Sequence, residues 1–312
     1  MALTRTTKLL AKIESSYNSN PSPVAGSNAI QVTDIEVTPI EADNVQAPTF
    51  QGFLGNSTQG TLLANKRVAV SFGAELSGSG AAGTASALSP LLKSCGLSET
   101  IVGSTSVTYA PVSSSFSSVS IHYTTDGVRH IVTGCRGTFV INAAVGEIPS
   151  IDFTFTGIYN APSDAALPSV TYGNQATPLI FKNGNTTNFQ LLSYAGALMN
   201  FSMDVGNSIV YRELVGGTKE VLLTDRAANG SLTIEAPALS SKDFFAAALT
   251  DTALGNLTVT HGTAAGNICR FSSTKVDIGD VSYGEMDGVT MLEIPYTLVP
   301  SSANDEMSLV FT

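Results

Sequence analysis

Chemistry in this sequence would have to come from a few groups of residues. The first is Gly78-Ser79-Gly80-Ala81-Ala82-Gly83, which has G-x-G-x-x-G spacing. In a dinucleotide site such glycines let the backbone close on a pyrophosphate, and an acid about 20 residues on binds the ribose. Glu99 stands near that distance. The strand before the motif, however, alternates Val68, Val70 and Phe72 with smaller or polar residues, whereas the first strand of a dinucleotide fold is a continuous apolar run. Pro90 interrupts the helix that follows, and no βαβ unit comes after it. The motif reads as a flexible Gly/Ser/Ala loop.

Nucleophile elbows, phosphate-binding loops and H-E-x-x-H helices do not occur, and His122, His130 and His261 fall in expected strands without a partner at ligand spacing. Cys95, Cys135 and Cys269 include no C-x-x-C pair, so they are expected to be buried small hydrophobes. The acids Asp277, Asp280, Glu285 and Asp287 lack the D-x-D-x-D-G spacing that packs oxygens around calcium. They suit an acidic hairpin that faces solvent or a channel. With no Trp to stack on sugars, paired carboxylates for glycoside hydrolysis have little support. The expectation is a protein without catalytic residues, cofactor or metal.

Composition agrees. Of the 312 residues 43% are hydrophobic and only 13% charged, a balance suited to β-rich assemblies with extensive buried interfaces. A net charge of −10 supplies no basic stripe for phosphates, although an acidic wall would keep a polyanion from sticking. The basic N-terminal residues are not followed by an apolar run of signal-peptide length, and no stretch approaches the roughly 18 apolar residues of a membrane span, so synthesis in a cytoplasm is expected.

The elements that would position these residues are mostly strands. Leu9, Leu10, Ile13 and Tyr17 fall at helical spacings and predict a short amphipathic helix ahead of the body, followed by a linker with Pro21, Pro23 and Gly26. From Ile30 onward strands dominate. Glu41 to Lys66 reads as a long loop carrying Phe50, Phe53 and Leu54, apolar residues that call for a covering partner. The two halves repeat a pattern. Strand Arg67–Leu76, helix Ser86–Cys95, strand Ser117–Tyr123, strands Val128–Thr133 and Thr138–Asn142, and strand Ile151–Tyr159 match strand Ser231–Ala236, helix Ser240–Leu249, strand Leu257–His261, strands Asn267–Phe271 and Lys275–Ile278, and strand Val289–Leu298. Turns Asp126-Gly127 and Gly146-Glu147 match Ala265-Gly266 and Gly284-Glu285. Residues 1–29 are then an arm and linker, and 30–166 and 167–312 two β domains, each a sandwich or barrel with one flanking helix.

Several strings carry a family resemblance: the opening Leu-Thr-Arg-Thr-Thr-Lys-Leu-Leu-Ala-Lys-Ile-Glu-Ser-Ser-Tyr, Ile40-Glu41-Ala42-Asp43, Gly127-Val128-Arg129-His130, Gly157-Ile158-Tyr159-Asn160-Ala161-Pro162, Lys242-Asp243-Phe244-Phe245 and Leu298-Val299-Pro300-Ser301. The chain resembles the tail tube proteins of long non-contractile-tailed bacteriophages, in particular Pseudomonas-type transposable siphophages. The resemblance implies a virion protein whose sheets join into a ring, rings that stack into a conduit for DNA, and tape measure and tail terminator proteins as partners. Two tube domains in one chain would need three chains per ring. On that reading Lys8, Leu9, Ile13 and Tyr17 of the arm, and Asp43, Phe50, Phe53 and Leu54 of the loop, are expected inter-ring contacts, and Asp277, Asp280, Glu285 and Asp287 candidates for an acidic lumen. The rival reading is a capsid decoration or adhesin-type β-sandwich.

Overall fold

Alternating side chains organise the chain into sheets: Val68, Val70, Phe72 and Ala74 are buried on one face of a strand, as are Ile151, Phe153 and Phe155 on its neighbour. The computed structural model describes residues 6–47, 49–55, 60–250 and 254–312. The first half contains β1 (Thr7–Ile13), β2 (Ala29–Ile30), β3 (Thr33–Val45), β4 (Leu62–Glu75), α1 (Ser89–Ser94), β5 (Leu97–Val102), β6 (Ser106–Pro111), β7 (Val119–Thr125), β8 (Gly127–Ala144), β9 (Ser150–Ile158) and β10 (Ser163–Ala165). The second contains β11 (Thr186–Leu191), β12 (Leu198–Asp204), β13 (Asn207–Arg212), β14 (Glu220–Arg226), β15 (Asn229–Glu235), α2 (Phe244–Ala248), β16 (Gly255–His261), β17 (Cys269–Ile278), β18 (Ser282–Met286), β19 (Val289–Leu298) and β20 (Ser308–Phe311).

The protein is mainly β, and its pairing order repeats. In the first half β3 pairs with β4, β4 with β9, β9 with β8 and β8 with β7. In the second, β12 pairs with β15, β15 with β19, β19 with the end of β17 and β17 with β16. Each of β8 and β17 was expected as two strands and is one, serving two neighbours in succession. Gly134 at φ +61° lies where β8 passes from β7 to β9. The repeat has one interruption. β18 is inserted before β19, so Gly284 lies inside a strand and the turn is Asp287-Gly288, both at positive φ as a two-residue hairpin demands.

No break in the sheet marks the expected boundary at 166/167. β8 pairs with β12, Val140 to Ala144 against Asp204 to Asn200, and β20 returns to pair with β6. One hydrophobic core runs through both halves, with Phe139 and Phe153 in one and Phe201 and Phe271 in the other. The G-x-G-x-x-G loop is part of this union. Gly78 N–H donates to Asn267 Oδ1 at 2.9 Å and Gly80 N–H to the Gly266 carbonyl at 2.9 Å. A Cβ on Gly78 would collide with that carbonyl. The glycines serve close backbone approach between two turns, not loop flexibility. Pro90 lies in the first turn of α1, where its missing N–H costs nothing, so it opens the helix and does not interrupt it.

The N-terminal helical arm is corrected: residues Thr7–Ile13 form a strand. β1 pairs with β7 over its whole length, Thr7 opposite Thr125 through Ile13 opposite Val119. A helix of this length is marginal by itself, whereas β7 offers a row of unpaired donors and acceptors that β1 completes. The long loop is also shorter than expected, because β3 runs to Val45 and β4 starts at Leu62.

Candidate assembly surface

The two repeated sets of strands lie side by side in one sheet, in the order β3-β4-β9-β8-β12-β15-β19, with β18 and the last residues of β17 sharing the eighth position. One face carries the core side chains. The other is polar, because alternation places Ser71, Asp152, Thr154, Asn142, Ser202, Thr233 and Glu293 away from the core. Where the halves meet, Ser202 Oγ donates to Asn142 Oδ1 at 2.9 Å and Asn142 Nδ2 to Asp152 Oδ2 at 2.9 Å, a row that crosses three strands. The register puts Glu36, Glu41, Glu75, Asp152, Asp204, Glu235, Asp277 and Glu293 on this face. Arg67 is there too, held by Glu41 at 2.5 Å and Asp43 at 3.5 Å. Asn65 Nδ2 donates to Asp43 Oδ2 at 2.6 Å, and this bond, more than the Arg67 charge, holds the carboxyl below its ordinary range.

The sheet ends in two edges. Among the described residues β3 pairs only with β4, and β18 only with β19. Each has one side with no strand against it, and β3 presents that side over 13 residues. An open edge of this length is a template for another strand.

At one end of the sheet the β3–β4 hairpin projects. Phe50 and Leu54 are fully exposed and Phe53 largely so, near Val45, Leu62 and Leu63, which are exposed as well. Positions 48 and 56–59 of this loop lie outside the described residues. Leaving such apolar surface in water costs about 25 cal/mol per Å². Asp43 stays at the base of this hairpin in the ion pair with Arg67, so only part of the expected loop set is free for a partner.

The N-terminal candidates are placed differently. Leu9 is buried in the core and Ile13 packs against it, while Lys8 Nζ donates to Tyr172 Oη at 3.2 Å. Tyr17 Oη accepts from Val221 N–H at 2.6 Å and donates to the Gly134 carbonyl at 3.3 Å, with the Arg136 guanidinium 4.8 Å above its ring. Burial pushes its phenol up to about 12. Beside it Glu14, buried, accepts from Ser118 Oγ and Ser120 Oγ, both at 2.6 Å, and from Gly134 and Asn18 N–H, both at 2.8 Å. This segment joins β7, β8 and β14 within its own chain.

The acidic run is dispersed. Asp277 is opposite Thr297 at one end of β19, whereas Asp287 is in the turn at the other end. Asp280 lies in the exposed connection between β17 and β18, and Glu285 is opposite Thr290, on the other side of the sheet from Glu293. Only Asp277 shares the acidic face. The three cysteines are buried. His261 Nε2–H donates to the Leu179 carbonyl at 3.1 Å, and burial lowers its pKa. His122, at 3.0 Å from Asn20 Oδ1, is lowered to about 4, by burial first and the Arg129 charge second.

Sequence reading missed the second projecting element, the β13–β14 hairpin, whose tip carries exposed Leu214 and Val215. Its signal was present: Gly216-Gly217 separates two short alternating runs. Comparison with protein families finds one whose description is phage tail tube protein, matched over residues 4–298. No curated protein matches the chain.

Proposed function

Since the chain belongs to the phage tail tube protein family, we propose that it assembles into closed rings whose stack forms the tail tube of a long non-contractile-tailed phage and conducts DNA during ejection. The observation that carries this reading is the eight-position sheet with an open edge at each end. In a ring the β3 edge of one chain meets the β18 edge of the next, so the unpaired N–H and C=O groups of the five residues of β18 and of the stretch of β3 facing them are satisfied. The polar, acid-rich face then lines the bore. Carboxylates such as Asp152, Asp204 and Glu293 repel phosphates, so DNA slides without being held. Three of the lumen candidates, Asp280, Glu285 and Asp287, lie away from that face; Asp277 fits it.

The repeated pairing order supports two tube-like units, 30–166 and 167–312, in each chain, and therefore three chains in a ring with pseudo-sixfold symmetry. The tape measure protein would occupy the bore before DNA, and a tail terminator would cap the last ring. Synthesis belongs to the host bacterial cytoplasm and the working location to the virion.

Electron microscopy of the purified protein tests the reading. Tubes or rings with a central hole are expected, with native mass spectrometry giving rings of three 32.3 kDa chains. Rings of six chains would overturn the stoichiometry. Discrete monomers, or protein that binds capsids and forms no tubes, would overturn the function in favour of a decoration protein.

A further inference from the structure

The repeat gives the β13–β14 hairpin a counterpart. In the first half β3 leads to β4 through the segment that carries Phe50, Phe53 and Leu54; in the second, β12 leads to β15, in the same relative pairing, through residues 205–228, which contain β13 and β14. Both connections leave the same end of the sheet. β12 runs toward that end as its residues pass from Ala144 to Val140 of β8, and β13 continues in that direction. The hairpin tip reaches the start of β4: Leu214, Val215 and Lys219 share a cleft of about 450 Å³ with Leu63, Asn65 and Lys66.

The opposite end of the sheet is also apolar and also duplicated. The β8–β9 turn exposes Val145 and Ile148, and the β18–β19 turn, which precedes the equivalent strand, exposes Met286 and Val289. Charge does not distinguish the ends: at the hairpin tip Lys66 lines the cleft and Lys219 is paired with Glu213 at 3.0 Å, while Glu147 and Asp287 occupy the two turns.

We infer that the β13–β14 tip, through Leu214 and Val215, is a second inter-ring contact, docking on the turn end of another copy of this chain in the adjacent ring. The inference rests on the tube reading. A partner of another kind with one site would have no use for two equivalent apolar protrusions per chain, whereas a stacked ring presents two equivalent apolar receiving turns per chain. A contact between unlike ends does not close on itself and generates an open stack with one polarity. The hairpin also gives the two halves matching contacts despite their unlike sequences.

The test is the double variant Leu214→Asp/Val215→Asp in the full chain, beside wild type. The tip is exposed, so thermal unfolding is expected to be unchanged. Where wild type forms tubes, the variant is expected to yield single rings, with sedimentable tube reduced at least tenfold. Tubes formed by the variant as readily as by wild type would overturn the inference and leave the tube reading intact; no tubes from wild type would overturn the tube reading itself and the inference with it. A second measurement is independent of folding yield. Val215→Cys combined with Val145→Cys or with Val289→Cys is expected to give oxidised tubes whose chains are cross-linked between rings in at least one pair. Variants that form tubes without cross-links in either pair overturn the docking site.

Discussion

The N-terminal segment and the β3–β4 hairpin carry the same kind of apolar residues, yet they have opposite fates. Leu9 and Ile13 enter the chain's own core, whereas Phe50, Phe53 and Leu54 stay in water. The difference lies in what each finds within its own chain. Residues 7–13 meet the vacant edge of β7 and match it for seven residues, so their backbone is satisfied at home. Phe50, Phe53 and Leu54 lie beyond the Val45–Leu62 pair that ends the β3–β4 ladder, and among the described residues no element covers them. Apolar content marks a segment that must be covered; the availability of an edge decides by what.

The contrast breaks most visibly at Glu14, the polar anchor of the N-terminal segment. Glu14→Ala removes the acceptor from two hydroxyls and two backbone N–H groups, and is expected to cost about 3 kcal/mol of stability, read by denaturant unfolding. A cost under about 1 kcal/mol would mean that the segment is not held as argued. Tyr17→Phe leaves Val221 N–H without its acceptor and should cost about 1 to 2 kcal/mol. The same variant has an alkaline signature. The folded phenol titrates near 12, above its ordinary value of 10.0, so its contribution is complete below pH 10 and is lost as pH rises toward 12. The variant should show a shallower stability loss across that window in a pH series. At the hairpin, Phe50→Ser/Phe53→Ser/Leu54→Ser should change stability by no more than about 0.5 kcal/mol while abolishing tube formation by electron microscopy. A large loss of stability with normal tubes would reverse the assignment of the two regions.

Much of the architecture was legible in residue order. Alternation located β4, β9 and β19, and the recurrence of strand, helix and strands exposed the repeat, because a strand that buries one face must write that choice into every second residue. The low charge and the exposed-looking phenylalanines pointed to partners. What could not be read was pairing between residues far apart. Leu9, Leu10 and Ile13 satisfy helical spacing as well as the two-sided burial of a strand, and only β7 distinguishes them. The acidic run looked like one patch because its members are neighbours in sequence, but the inserted β18 sends Asp277 and Asp287 to opposite ends of β19. Likewise Asp152 and Asp204, more than 50 positions apart, stand on one face through β8 and β12. Local periodicity thus located strands such as β4, β9 and β19 and the apolar face of each, since both depend on near neighbours alone, but it misread β1 as a helix. Which edges are used up and which are left open was decided by long-range hydrogen bonding, which has no local signature.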